Sequence, residues 1–87
     1  MTAGRLVWEG EVYISVEEAA SCYGLRVTEV ESWFEERLLA PPRVVKGITA
    51  LPTSELDRIA TIVRYTRLFG VDAGSLRLLV DSGVIDL

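Results

Sequence analysis

Two helix-start signatures with a single glycine between them constrain this chain more than any other feature. Ser15-x-x-Glu18 and Thr28-x-x-Glu31 each set a hydroxyl at a helix entry and a glutamate three residues on. In that pattern the hydroxyl accepts from the third helical N–H and the glutamate bonds back to the entry N–H. Pro41-Pro42 close the second segment, because proline lacks a donor and disfavours helix in the residue before it. The spacing predicts a first helix from about Val16 to Tyr23, stopped by Gly24, and a second from Glu29 to about Arg37. Only Gly24 to Val27 lie between them. Two short helices joined by a tight glycine turn make a helix-turn-helix unit. The contact positions of such a unit are suitably filled: Ala20, Gly24 four later, Val30 ten later and Trp33 thirteen later.

The flanking segments read as follows. Leu6-Val7-Trp8 and Val12-Tyr13-Ile14 are β-prone runs split by Glu9-Gly10-Glu11, the second entering the first helix. Arg43-Val44-Val45, Lys46-Gly47 and Ile48 to Leu51 read as a hairpin. Ser54, with Asp57 three later, opens a third helix over about Glu55 to Phe69, in which Leu56, Ile59, Ala60 and Val63 recur at helical spacing. Gly70 ends it. A fourth helix, about Ala73 to Asp81, directs Leu76, Leu79 and Val80 inward, and Val84 to Leu87 form an apolar tail.

Composition removes whole classes of function. The chain has 87 residues, enough for one small domain. With no histidine it lacks the commonest general base and metal ligand. One cysteine, Cys22, excludes an internal disulfide and a multi-cysteine zinc site. Its surroundings offer no activating base, so it reads as a small buried hydrophobe. Adjacent acids at Glu17-Glu18 and Glu35-Glu36 point about 100° apart on a helix and cannot work as a pair. Glu31 and Glu35 share a face, but with no base beside them catalysis is not expected. The chain therefore reads as a non-enzyme without cofactor or metal.

Charge is uneven. Net charge is −4, but residues 1–38 hold eight acids against three bases, while residues 39–87 hold five against six. Mean hydropathy is +0.29. In a domain with so much surface for its volume, that implies exposed apolar residues available to a partner. The sequence shows neither a signal segment nor an apolar run near 18 residues, so the expected location is cytoplasmic, with no membrane contact.

Several residues in order carry a resemblance to a known family: Tyr13-Ile14, Ala20, Gly24-Leu25, Leu38-Leu39, Pro42, Gly47, Leu56, Ile59 to Ile62, Arg67-Leu68, Gly70-Val71 and Leu76. Over about Val12 to Asp81 the chain resembles the winged-helix N-terminal domain of MerR-type regulators. The resemblance implies a mainly α fold with a small β-hairpin, a MerR-like winged helix-turn-helix. It would form one domain over 1–87, with 1–11 as an N-terminal extension and 84–87 as a tail.

The departures from that family bear on function. Its second helix carries T-L-R-Y-Y-E, which falls here on Glu29, Val30, Glu31, Ser32, Trp33 and Phe34. Glu31 stands where the DNA-contacting arginine is expected, and Ser32 where the first tyrosine is. The wing's G-Y-R becomes Gly47, Ile48 and Thr49. DNA affinity depends on neutralising phosphates with Lys and Arg, and this face is acidic instead. In length, acidity and the Leu-Leu and proline after the second helix, the chain resembles chaperone modulators of the CbpM type. That resemblance implies an adaptor binding the J-domain of a DnaJ-type co-chaperone and modulating its activity.

With Val30 and Trp33 committed to the core, the expected partner face is Glu29, Glu31, Ser32, Phe34, Glu35 and Glu36, Phe34 being an exposed aromatic anchor. Trp8 reads equally as a cap on the core or a partner anchor. Arg58, Arg64, Arg67 and Arg77 on the last two helices read as a solvated face or a basic patch opposite the acidic helix. The competing reading is a MerR- or excisionase-type DNA-binding transcriptional regulator. Homodimer formation stays open.

Overall fold

Both β-prone runs and the expected hairpin belong to one sheet. The computed structural model of the chain describes residues 5–87, so residues 1–4 of the expected extension lie outside the described residues. Strand β1 (Arg5–Trp8) turns through Glu9-Gly10 into β2 (Glu11–Ser15). Helices α1 (Val16–Cys22) and α2 (Val27–Glu35) follow. A second hairpin, β3 (Arg43–Val45) and β4 (Ile48–Pro52), leads through a 3₁₀ turn (Thr53–Glu55) to α3 (Leu56–Phe69) and α4 (Ala73–Asp81).

The expectation of a mainly α fold with one small hairpin is overturned. The fold is mixed α/β: a curled four-stranded antiparallel sheet with four helices. Strand order is β1-β2-β4-β3. The join between the hairpins is the β2–β4 pairing, Ile14 opposite Leu51 and Ser15 opposite Ala50. It links segments about half the chain apart, which local pattern does not reveal. The turns themselves are equivalent. Glu9 and Gly10 have φ +51° and +78°, Lys46 and Gly47 +52° and +79°. Two successive positive φ values suit the type I′ turn, whose twist matches that of the strands. Glu9-Gly10 is therefore a hairpin turn rather than a break.

Side chains alternate across a strand, yet Tyr13 and Ile14 are both buried, as are Ala50 and Leu51. The sheet is thus covered on both faces. Ile14 and Leu51 join the main core with Val16, Ala19, Val30, Trp33, Leu38, Ile59, Ile62 and Leu76. Tyr13, Val45 and Ala50 form a second cluster with Leu6 against it. Trp8 covers that side, its ring 6.4 Å from Tyr13 and beneath the Arg43 guanidinium at 5.4 Å.

The helix boundaries show which caps form. Ser15 Oγ accepts from Glu18 N at 3.1 Å, as the first signature predicts. Gly24, at φ +65°, lets Leu25 N donate to Ala20 O at 2.8 Å and ends α1. The second start is shifted. α2 begins at Val27, and Glu29 Oε1 accepts from the Arg26 N–H at 2.9 Å. Thr28 is inside the helix and does not cap it. Ser54 does not cap α3 either, because Thr53–Glu55 form the 3₁₀ turn. α4 matches its expected bounds, with Asp72 Oδ1 accepting from Ser75 N at 2.8 Å. That bond holds the Asp72 carboxyl below its ordinary range.

Val30 and Trp33 are buried, as expected. Cys22 is not: it is exposed, because the buried stripe of α1 runs through Val16, Ala19 and Ala20. Trp8 is 39% exposed.

Candidate functional site

A concavity lies where α1, α2 and the β3–β4 turn meet. Ser15, Val16 and Glu17 enter from the start of α1. Val27, Glu31, Phe34 and Glu35 come from one stripe of α2, which the i, i+4 spacing aligns. Pro42, Gly47, Ile48 and Thr49 close the far side. The result is an open groove with Val27, Phe34 and Ile48 as apolar lining and three carboxylates, Glu17, Glu31 and Glu35. No lysine or arginine lines it.

The six residues expected on one partner face are divided by the structure. Glu31, Phe34 and Glu35 are together in the groove. Glu29 and Ser32 lie on another side of α2, in a small depression with Thr66, Val71, Asp72 and Ala73. Both also serve the helix: Glu29 as its entry cap, and Ser32 through an Oγ–H donated to Glu29 O at 2.6 Å. Glu36 turns toward α4, its Oε2 3.9 Å from where a Cβ on Gly74 would be. There the hydrogen bond to Asp81, together with the charges of Asp81 and Glu36, holds the Arg77 guanidinium above its ordinary value. Phe34 is half-buried against the main core rather than fully exposed, with part of its ring left to the groove.

Electrostatically the groove is one-sided. Glu17 sits in the first turn of α1, where a negative charge is favoured by the helix dipole. Glu35 has the opposite placement, in the last turn of α2, which carries no basic residue. An acid there opposes the dipole, and Glu31 one turn earlier repels it. Folding alone gives no reason for this pair.

Sequence reasoning did not place Glu17, Val27 and Pro42 at this site. Ile48 and Thr49 had a signal, since they occupy the wing positions that depart from the MerR-type pattern.

The arginines of the last two helices also separate. Arg58 Nε donates to Leu38 O, and one of its Nη groups reaches Leu87 O. Arg77 pairs with Asp81, Nε to Oδ1 at 3.0 Å, and donates to Arg37 O at 3.2 Å. Arg64 and Arg67 are exposed on α3.

Comparison of the chain with family models, curated proteins and solved structures gives no match. Among the described residues, no group of three or more His, Cys, Asp or Glu is placed to hold a metal ion. No helix among them is long and apolar enough to cross a membrane.

Proposed function

We propose that the chain is a non-enzymatic, cytoplasmic protein-interaction adaptor whose groove receives a basic amphipathic helix. The J-domain of a DnaJ-type co-chaperone, whose activity the chain would modulate, is the partner implied by the resemblance to chaperone modulators. The observation carrying this reading is the groove itself: Glu17, Glu31 and Glu35 around Val27, Phe34 and Ile48, with no basic side chain in the lining. Carboxylates of one sign steer a basic partner and fix its register. The half-buried aromatic ring supplies an anchor of the kind that dominates interface energetics. Duplex DNA is poorly suited to the same surface, because its phosphates would meet Glu31 and Glu35.

The test is calorimetry of the full chain against a purified J-domain, with Glu31→Lys/Glu35→Lys as the variant. Both residues are exposed, so circular dichroism should be unchanged. Binding should weaken at least about tenfold, mainly through slower, salt-dependent association. Unchanged affinity with an intact fold would move the interface off the groove. Sequence-selective binding to duplex DNA at low salt, read by fluorescence anisotropy, would replace the adaptor reading with a DNA-binding regulator.

A further inference from the structure

We propose that the chain associates with copies of itself head to tail, the outer face of α3 of one copy lying in the acidic groove of the next. The inference rests on the reading of that groove as a receptor for a basic amphipathic helix, because α3 presents one. Arg64 and Arg67 lie three residues apart, and Leu68 follows Arg64 by four, so the three share one face. All are exposed, Leu68 at 70%. With Ala60 and Val63 they line a shallow strip that contains no acid.

Unlike Arg58 and Arg77, these two arginines make no side-chain hydrogen bond or ion pair among the described residues. Among the described residues the ion pair that forms is Arg77–Asp81, and neither Arg64 nor Arg67 takes part in it. The groove shows the inverse arrangement, with Glu17, Glu31 and Glu35 around apolar side chains and no base. The strip and the groove share no residue, so one copy offers both at once. Pairing groove to groove, or strip to strip, would set like charges together. Pairing groove to strip sets opposite charges together and leaves a free groove at one end and a free strip at the other. Such a heterologous contact propagates into an open chain unless its rotation closes a ring. The contact is small and its charges face solvent, so it should be weak and strongly screened by salt.

The experiment is sedimentation velocity of the full chain over a wide concentration range, with two variants, Glu31→Lys/Glu35→Lys and Arg64→Ala/Arg67→Ala. The wild type should rise with concentration from its 9.6 kDa monomer past the dimer. It should return toward monomer as salt goes from about 0.05 M to about 0.5 M. Each variant alone should associate at least about tenfold more weakly. Mixed, the two variants should form a one-to-one complex that grows no further, because one keeps its strip and the other its groove. A wild type that stays monomeric, an association that stops at a dimer and ignores both variants, or a mixture that forms no complex would each overturn the proposal. If self-association fails while Glu31→Lys/Glu35→Lys still abolishes J-domain binding, the groove reading stands without it. If that variant changes neither, both fall.

Discussion

Arg58 illustrates how a charged residue is absorbed by the fold. In the sequence it belongs with Arg64, Arg67 and Arg77 as a basic surface at helical spacing. In the structure its guanidinium reaches the carbonyls of Leu38 and Leu87 and ties the segment after α2 and the C-terminal end to α3. Leu38 itself is fully buried, so its carbonyl has little access to water as a substitute partner. Removing one partner of a buried hydrogen bond costs the desolvation of the group left behind. Arg58→Ala should therefore lower stability by about 1–3 kcal/mol in chemical denaturation. Arg58→Lys should recover only part of that, because an ammonium lacks the planar fork of donors. Arg64→Ala, on the exposed strip, should change stability by no more than about 0.5 kcal/mol. Equal losses at the two positions would show that Arg58 is as solvated as its sequence context suggests. Residue type and helical spacing place both arginines on α3, but only the tertiary course of the Leu38 segment separates them.

For the elements, local pattern carried far where the determinants are local and failed where they are not. The bounds of α4, the Lys46-Gly47 hairpin, the stop at Gly24 and the Ser15 cap depend on residues within a few positions of each other, and all four are readable in the sequence. The start of α2 lies two residues before the expected one, at Val27 rather than Glu29. Thr28 and Glu31 satisfy the capping pattern on paper, but Leu25 is already committed to closing α1 and Val27 is packed against the core, so helical geometry begins at Val27. The glutamate that reaches back is then Glu29, not Glu31, which frees Glu31 for the groove. Thr28→Ala should leave the thermal midpoint nearly unchanged, whereas Glu29→Ala should cost about 0.5–1 kcal/mol, the usual worth of a helix-entry hydrogen bond. A larger loss at Thr28 than at Glu29 would restore the register expected from sequence. The same shift explains the site: helix phase decides which α2 acids are neighbours, and it groups Glu31 with Glu35 while turning Glu29 and Glu36 to either side.

Across the whole molecule, the least legible feature was the β2–β4 pairing, a contact between residues brought together only when the intervening helices fold. It changes what the N-terminal segment is. A two-stranded hairpin alone is marginally stable in water, and β1 has mostly exposed side chains. Its order must come from β2, whose Tyr13 and Ile14 are buried in different clusters on opposite faces of the sheet. The two tryptophans report on these clusters separately: Trp33 is buried in the main core, and Trp8 stands against Tyr13 on the other face. If β2 couples both faces, the N-terminal hairpin should unfold with the helices rather than before them. In Trp33→Phe, the Trp8 fluorescence transition in denaturant should coincide with the far-UV circular dichroism transition, and the same should hold for Trp33 fluorescence in Trp8→Phe. Comparing the two probes within one variant removes the effect of each substitution on overall stability. A Trp8 transition at lower denaturant than the helix signal would show that the β1–β2 hairpin opens on its own, and that the second cluster is an appendage to the helical core rather than part of one cooperative fold.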